Sequence, residues 1–326
     1  MFLKTPLLIN NYFIVKFLKM KTPKIILTVV ALVLAGSEAL IQLSGILDIP
    51  VYRADNTVGY IPAPGQSGVF LHAKQWQFND HSMGAGAFAP DSQRFNMLLV
   101  GDSTVMGGNP LAQSERLGPQ LEGLTGWQVW PVAAGSWALQ NQLAYIRRHP
   151  DILHKVDAVA IVSNSGDFDE PSSWASSVTH PLKRPFPGLL YVARKYVFPA
   201  GPTPEVQAEL QVMPRDWQAD LRDFLSSYRK PVFFFLYPNL DELDNAEKMH
   251  SQLDSKILAL QKQSASNIRI NRVATSPLWT ANLYRDDIHP SAEGTAALAK
   301  IMVNGMCESI IRKMACSASN DTTYVQ

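Results

Sequence analysis

The sequence predicts an α/β/α sandwich with a parallel sheet of about five strands, preceded by one N-terminal membrane helix. Three observations support this. Short apolar runs recur between residues 95 and 271, helical patterns alternate with them, and one longer apolar run follows a lysine cluster near the N-terminus. Short, continuous apolar runs are typical of strands buried on both faces of a parallel sheet. Their alternation with helices indicates helix layers on both sides of that sheet.

The N-terminal segment predicts a membrane anchor. Residues 25–47 contain a single charge, Glu38, and follow the basic residues 1–24. This length matches a helix of about 20 residues that crosses a bilayer, and lysines favour the cytoplasmic side. In a bacterium we therefore expect residues 1–24 in the cytoplasm, a single-pass anchor in the inner membrane and the body in the periplasm or outside the cell.

Two other interpretations of residues 25–47 stay open. The small residues Ala35, Gly36 and Ser37 after an apolar stretch are also typical of a cleaved signal peptide, which would leave a secreted protein. A buried core helix is the third interpretation. An ionised Glu38 is costly at mid-bilayer. It therefore lies near the outer interface, pairs with another helix, or marks the cleavage site.

The rest of the chain divides by composition. Residues 48–93 are rich in Gly, Pro, Asn and Ser without sustained periodicity, which indicates a linker that packs on the following domain. The domain covers residues 94–315, and residues 316–326 form a tail. Its predicted strands are 95–101, 127–134, 157–163, 231–237 and 267–271. Its predicted helices are 114–124, 139–148, 205–228, 241–264 and 291–313.

Composition and charge narrow the class of protein. The chain has 326 residues, of which 46% are hydrophobic and 17% charged. It is therefore long enough for a sizeable core and too poor in charge for a disordered or nucleic-acid-coating protein. The net charge of +1 is uneven, because five lysines and no acid precede residue 25 while the remainder carries 24 basic and 28 acidic residues. The body is mildly acidic, and no nucleic-acid partner is expected.

The two cysteines, Cys307 and Cys316, stand near the C-terminus. An exported protein permits a disulfide between them, but spacing alone does not show that they meet, and two thiols are equally compatible. No His or Cys accompanies them at ligand spacing. We expect neither a metal site nor a cofactor.

A serine follows the first predicted strand of the domain. Ser103 stands two residues after Val100, in a loop between strand and helix. Ligands of parallel sheets bind at the carboxyl ends of strands, where this loop lies. By itself, Ser103 is better explained as an ordinary helix N-cap. It is not the nucleophile elbow of the α/β-hydrolases, since G-x-S-x-G occurs nowhere in the chain.

A serine nucleophile needs a base and an orienting carboxylate. Among seven histidines, His289 stands just before the last predicted helix, with Asp286 three residues upstream. In a tight loop Asp286 can reach Nδ1 of the imidazole and hold Nε2 toward a serine. The alternative is an Asp-His pair that only caps the final helix, for which Ser291 is also a cap candidate, with Glu293 in the first turn.

Together these two loops resemble the SGNH or GDSL hydrolase family. Gly101-Asp102-Ser103-Thr104 matches its first block and Asp286-Asp287-Ile288-His289-Pro290 its last, and the resemblance covers about residues 95–313. It implies a flavodoxin-like sheet and esterase chemistry with Ser103, His289 and Asp286 as the catalytic triad.

The resemblance also implies an oxyanion hole. Its donors would be the backbone N–H of Ser103, that of Gly135 or, in another alignment, Ser136, and the side chain of Asn164. The third block departs from the family's Gly-x-Asn-Asp, because matching Asp167 to the last Asp places Gly166 where the asparagine is expected. The strength of this oxyanion hole is therefore in doubt.

Two tryptophans follow these candidate donors. Trp137 and Trp174 are candidates for a wall that stacks on a sugar, and ordinary core packing is the alternative for both. A Ser- and Pro-rich insertion at 170–188, with His180, could overhang the site.

These residues and the outward-facing body predict an exported serine esterase. Its substrates would be O-acyl groups, in the first place acetyl, on envelope or secreted polysaccharide, and envelope polysaccharide machinery is a possible partner. One alternative is a polysaccharide O-acyltransferase with the same triad. The other is a catalytically weak glycan-binding or assembly protein on the same scaffold.

Overall fold

The computed structural model of the protein describes residues 10–198, 205–263 and 266–310. They form two compact units, one from the described parts of 1–47 and 185–200, the other from those of 48–184 and 201–326. Cys316 and the predicted tail lie outside the described residues, as do residues 1–9 of the predicted cytoplasmic segment.

Within the described residues the strands are β1 (Tyr52–Asp55), β2 (Gly59–Pro62), β3 (Gln66–Phe70), β4 (Lys74–Phe78), β5 (Asn96–Gly101), β6 (Gln128–Ala133), β7 (Ala158–Ser163), β8 (Val232–Leu236) and β9 (Ile268–Arg272). The α-helices are α1 (Asn10–Leu43), α2 (Ser103–Met106), α3 (Leu117–Thr125), α4 (Leu139–Arg148), α5 (Pro150–Lys155), α6 (Gly188–Val192), α7 (Trp217–Ser227), α8 (Leu240–Asp244), α9 (Ala246–Lys248), α10 (Ser255–Gln261) and α11 (Ala292–Ile310).

The larger unit is built on a five-stranded parallel sheet in the order β6-β5-β7-β8-β9. Each strand coincides with one predicted apolar run, and the starts and ends differ by at most one residue. All residues of β5, β7 and β8 are buried, which is why their sequences are almost entirely apolar, with Asn96 at the start of β5 and Ser163 at the end of β7 as the polar residues. Helix α3 packs against α11, and α4 against α7. The predicted α/β/α fold is confirmed.

The sheet brings the candidate loops to one edge. Gly101 at the end of β5 pairs with Ala133 at the end of β6 and with Val162 near the end of β7. Because these strands are parallel, the segments that follow them emerge at the same edge of the sheet. Those segments carry Ser103, Gly135 and Asn164.

Residues 48–93, for which the sequence suggests a linker, form two antiparallel hairpins, β1–β2 and β3–β4. Tyr60, Trp76 and Phe78 from these hairpins are buried in the hydrophobic core of the larger unit. The hairpins were not predicted, because four- and five-residue strands with many turn residues give little periodic signal.

Two predicted helices are wrong in extent. The helix predicted at 205–228 begins only at Trp217, after Pro214, since a proline disfavours helical geometry in the residue before it. Asp216 caps α7 by accepting a hydrogen bond from the N–H of Gln218 at 2.9 Å. The helix predicted at 241–264 is interrupted at Asn245, where the backbone is extended and the side chain caps α9.

The smaller unit contains α1 and α6. Residues Pro23–Leu43 of α1 are long and apolar enough to cross a membrane, with a mean hydropathy of 2.1. A signal sequence near the N-terminus meets the same criteria of length and composition, so the anchor and the cleaved signal peptide both agree with this helix. None of its apolar window is buried, which contradicts the interpretation as a buried core helix.

Candidate active site

The loop after β5 places Ser103 at the sheet edge. Gly101 lets the chain turn tightly, because a Cβ there would lie 2.4 Å from Cγ2 of Val105. Asp102 caps α2 by accepting a hydrogen bond from the N–H of Thr104 at 2.8 Å. Ser103 is therefore the first residue of α2, and α2 ends at Gly107 in the left-handed conformation.

The loop before α11 holds His289 in place. The N–H of Arg285 donates to the carbonyl of His289 at 2.9 Å, which closes the loop. Asp286 Oδ1 accepts the N–H of His289 at 2.8 Å and that of Ile288 at 3.1 Å. Nη1 of Arg285 also donates to the carbonyl of Gly107 at 3.1 Å, which joins this loop to the end of α2.

Ser103, His289 and Asp286 form a continuous hydrogen-bonded chain. His289 Nε2 lies 2.8 Å from Ser103 Oγ. His289 Nδ1 lies 2.8 Å and 2.9 Å from the two carboxylate oxygens of Asp286. With Nδ1–H donating to the carboxylate, Nε2 is the acceptor that can take the serine proton. The structure thus brings together three side chains from opposite ends of the domain.

Asp286 is suited to remain ionised in this arrangement. Partial burial acts to raise its pKa, but the N–H groups of His289 and Ile288 and the imidazole of His289 hold the pKa below its usual range. The carboxylate is about half exposed, and the imidazole is 27% exposed. The proton-accepting pair therefore faces solvent, from which a substrate can reach it.

The loop after β6 presents backbone N–H groups. The carbonyl of Ala134 accepts from the N–H of Trp137 at 3.2 Å, and the carbonyl of Gly135 accepts from the hydroxyl of Tyr60 at 2.7 Å. In a trans peptide the N–H points opposite to the carbonyl. The N–H groups of Gly135 and Ser136 therefore point away from Trp137 and Tyr60 respectively, and Ser103, as the first residue of α2, has no acceptor for its N–H inside the helix.

Asn164 lies beside the nucleophile loop, but its side chain is engaged. Nδ2 donates to Asp102 Oδ2 at 3.3 Å and to Asp167 Oδ1 at 3.1 Å, while Oδ1 accepts the N–H of Gly166 at 2.8 Å. Both amide hydrogens thus have carboxylate acceptors. Gly166 is the residue that stands where the family's third block has an asparagine. Its N–H donates to Asn164 Oδ1.

Asp102 and Asp167 are two buried carboxyl groups bridged by this amide. Burial raises the pKa of Asp102. Burial also raises the pKa of Asp167, well above its usual value, and the nearby charge of Asp102 raises it further. Below them the buried Tyr237 hydroxyl is hydrogen-bonded to Thr104 Oγ1. Burial raises the pKa of Tyr237, so its hydroxyl stays protonated.

The two tryptophans have different positions. Trp137 is 0% exposed and donates Nε1–H to the carbonyl of Tyr60 at 2.6 Å. It belongs to the core. It therefore does not fit the predicted sugar-stacking role, because no ligand can reach its faces. Trp174 is partly buried and donates Nε1–H to the carbonyl of His180 at 2.8 Å.

His180 of the 170–188 insertion lies near the loop after β6. Nε2 of His180 lies 3.7 Å from the position that a Cβ on Gly135 would occupy. The His180 ring packs on the ring of Tyr60, with centroids 3.9 Å apart. Among the described residues, no group of three or more His, Cys, Asp and Glu could hold a metal ion.

Sequence reasoning missed two residues that shape the site. Tyr60 fixes the peptide after Gly135, and Arg285 joins the His289 loop to α2. Tyr60 lies in a hairpin that the sequence did not predict, so no local pattern pointed to it. Arg285 stands next to Asp286 in the sequence, and this neighbourhood is the one sequence feature that could have indicated its role.

No protein-family model matches the sequence, and no curated protein sequence matches it. Among solved structures, the chain is similar to a protein assigned as a GDSL-like lipase in Bacteroides ovatus, with 10% identity, a TM-score of 0.36 and coverage of 69% of this chain and 56% of that one. The chain thus spans little more than half of that protein.

Two further solved structures are similar to the chain. An acetylxylan esterase from Geobacillus stearothermophilus, solved as a catalytic mutant, has 14% identity, a TM-score of 0.37 and coverage of 65% of this chain and 94% of that one. The salicylyl-acyltransferase SsfX3 of a tetracycline biosynthetic pathway has 14% identity, a TM-score of 0.41 and coverage of 68% and 56%.

The five-stranded parallel sheet flanked by helices is the α/β/α fold that the resemblance to the SGNH/GDSL hydrolases implies. Identity to these solved structures is only 10–14%, so the roles of Ser103, His289 and Asp286 depend on the geometry of this chain itself.

Proposed function

We propose that this protein is a serine esterase that hydrolyses O-acyl groups, in the first place acetyl esters, on envelope or secreted polysaccharide. The observation that carries this proposal is the hydrogen-bonded chain from Ser103 Oγ through His289 to Asp286, with distances of 2.8 Å at both ends of the imidazole. Ser103 attacks the ester carbonyl, and His289 takes its proton and returns it to the leaving alcohol. Asp286 orients the ring and stabilises its charged form.

The oxyanion would bind to backbone N–H groups of Ser103 and Gly135, with the Asn164 amide as a third donor. The orientation of the Gly135 loop supports the backbone donors. Asn164 would have to release one of its two carboxylate acceptors, since both hydrogens are engaged. Because each donor in an oxyanion hole contributes about 10²- to 10³-fold in rate, the availability of this amide decides how efficient the enzyme is.

The test is hydrolysis of p-nitrophenyl acetate by the full-length protein in detergent. Ser103→Ala should abolish turnover, whereas Ser226→Ala on the exposed face of α7 should leave it unchanged. Equal rates for wild type and Ser103→Ala would disprove the mechanism. An organophosphonate probe adds a second measurement, because labelling of Ser103 excludes a purely glycan-binding role.

The same triad would also serve an acyltransferase. In that case a sugar hydroxyl rather than water attacks the acyl-serine after His289 has deprotonated it. Incubating the protein with a labelled acetyl donor and polysaccharide separates the two reactions. Free labelled acetate supports hydrolysis, and label retained on the glycan supports transfer.

We further propose that α1 anchors the protein in the inner membrane with the larger unit outside the cytoplasm. The lysine cluster before residue 25 and the apolar stretch Pro23–Leu43 support this orientation. Alkaline phosphatase fused at the C-terminus should be active only with an exported body. Mass spectrometry of the N-terminus distinguishes the retained anchor from a cleaved signal peptide.

A further inference from the structure

The apolar helix α1 is in contact with a segment of the same chain that is distant in sequence. Glu38, the one acid in residues 25–47, accepts the N–H groups of Gly188 and Leu189, each at 2.8 Å. Nε2 of Gln42, one turn further along α1, donates to Glu38 at 2.7 Å. Three donors therefore satisfy this carboxylate, and two of them come from the start of α6.

The backbone of α6 lies directly against α1. Gly188 is buried, and a Cβ at this position would lie 2.5 Å from Cδ1 of Leu47 and 3.0 Å from Cγ2 of Ile41. Only glycine allows such an approach without displacing one of these side chains. Residues 185–198, which we call the outer segment, are thus fixed to the C-terminal end of α1 by both packing and hydrogen bonds.

The position of Glu38 gives the depth of this contact. It lies 13 residues after Ile25, or about 20 Å along a helix that rises about 1.5 Å per residue. The hydrocarbon core of a bilayer is about 30 Å thick. With the lysines on the cytoplasmic side, Glu38 falls in the outer part of that core. A carboxylate at this depth requires hydrogen-bond donors, and the outer segment supplies them.

The outer segment also exposes large apolar side chains. Phe186 is 81% and Phe198 73% exposed, and Leu190, Tyr196 and Val197 are about half exposed or more. Exposed apolar groups of this size, concentrated in one short stretch, mark an interaction surface. Aromatic residues are typical of the boundary between lipid headgroups and acyl chains.

Basic side chains accompany this apolar surface. Arg194 is exposed, and Lys195 donates from Nζ to the Tyr191 hydroxyl at 2.8 Å. Such long cationic side chains can place their charge among headgroups while their stems cover apolar surface. The combination of aromatic, aliphatic and basic side chains is that of a segment at a membrane surface.

We propose that the outer segment is a second membrane contact, immersed in the outer leaflet with Phe186, Leu190, Val197 and Phe198 against lipid. The proposal rests on the proposed orientation of α1 and is independent of the esterase activity. Lipid is the occupant that fits, because the outer segment packs on α1, whose own apolar residues from Ile25 to Leu34 are largely exposed. Two elements then hold the protein at the membrane, and Glu38 couples them.

The first experiment uses photo-crosslinking in the full-length protein. p-Benzoylphenylalanine is introduced at Val30, Phe186, Phe198 or Leu258, and the protein is reconstituted in vesicles of phosphatidylcholine and phosphatidylglycerol with a tritiated phospholipid. Val30 in α1 is the positive control, and Leu258, which is 54% exposed in the larger unit, is the matched control. We expect lipid adducts at positions 30, 186 and 198 and not at 258.

Each other outcome counts against the proposal. Adducts at Val30 without adducts at Phe186 and Phe198 would overturn the second contact while leaving the anchor intact. Protein adducts at positions 186 and 198 would assign the surface to a protein partner. Absence of adducts at Val30 would overturn the anchor as well. Esterase activity, measured in parallel on the same samples, keeps these outcomes separate from the proposed reaction.

A second experiment tests the coupling. Glu38→Ala removes the acceptor for both α6 N–H groups. We expect lipid adducts at position 186 to fall by about tenfold, because hydrogen bonds to a charged group are lost. Glu38→Gln retains one acceptor oxygen and should restore part of the yield. Equal yields for wild type and both variants would overturn the coupling role of Glu38.

Discussion

The two sides of Ser103 are built in different ways. On the acid–base side, one loop supplies both Asp286 and His289, three residues apart, and their carboxylate and imidazole are partly exposed. On the oxyanion side, Gly135 and Asn164 come from loops after different strands, and Asn164 is buried between two carboxyl groups. The first side is a local structure that a short motif encodes. The second is a tertiary network whose donors are set by neighbours distant in sequence.

This difference has an electrostatic counterpart. The pKa of Asp286 is held below its usual range, whereas burial raises the pKa values of Asp102 and Asp167. In the proposed mechanism, a charged carboxylate at Asp286 would stabilise the imidazolium of His289. Carboxyl groups that resist charging keep the network beneath the nucleophile compact and orient the Asn164 amide.

The largest effect is expected on the acid–base side. Asp286→Asn removes the charge that stabilises the imidazolium and allows the wrong tautomer, so kcat should fall by about 10⁴-fold. The measurement is kcat for p-nitrophenyl acetate. Asp287→Asn, one residue further on and exposed, is the matched control and should retain activity. A strong loss in Asp287→Asn with little loss in Asp286→Asn would reverse the assignment.

A smaller effect is expected on the oxyanion side. If the Asn164 amide turns to the oxyanion during the reaction, Asn164→Ala should lower kcat by about 10²- to 10³-fold with little change in KM. The control is Gln140→Ala, whose amide bonds to Asp169 and Arg215 away from the nucleophile. A fall in melting temperature without a fall in kcat per folded molecule would show that Asn164 only holds the loop.

The smallest effect concerns the pH dependence of stability. The folded state holds the proton on Asp167 more tightly than the unfolded state does, since burial raises this pKa. The free energy of unfolding should therefore decrease as pH rises from the unfolded pKa of about 4 through the higher folded value. Asp167→Asn should flatten this slope and cost about 1 kcal/mol at low pH for a lost hydrogen bond.

Thermal unfolding between pH 4 and 8 measures the slope for both proteins. Asp223→Asn, on α7 outside the buried network, is the control and should keep the wild-type slope. Identical slopes in wild type and Asp167→Asn would show that Asp167 does not carry the raised pKa. In that case the proton of the buried pair would reside on Asp102.

Elements with a strong local signal were predictable. Strands β5, β7 and β8 are almost entirely apolar because both of their faces are buried, so their positions follow from composition. The pair Asp286 and His289 was predictable because a three-residue separation places both in one turn. The end of α7 was predictable, but its start was not. The apolar spacing over 205–228 suggested one helix, and the prediction did not take Pro214 into account.

Tertiary contacts decided the remainder. Trp137 follows a candidate oxyanion residue in sequence, yet its ring is buried in the core and donates a hydrogen bond to the carbonyl of Tyr60. Tyr60 also orients Gly135 from a segment that looks like a linker. Neither contact leaves a periodic pattern, because each joins residues more than 70 positions apart.

The sequence by itself determined the parallel α/β fold, the loops that carry Ser103 and His289, and the charge asymmetry of the N-terminus. These follow from local apolar runs, a three-residue spacing and composition. Only the tertiary structure decided that Asn164 binds two buried carboxyl groups and that Glu38 accepts hydrogen bonds from α6. Polar groups removed from water must find partners wherever the fold brings them, and sequence distance does not constrain that choice.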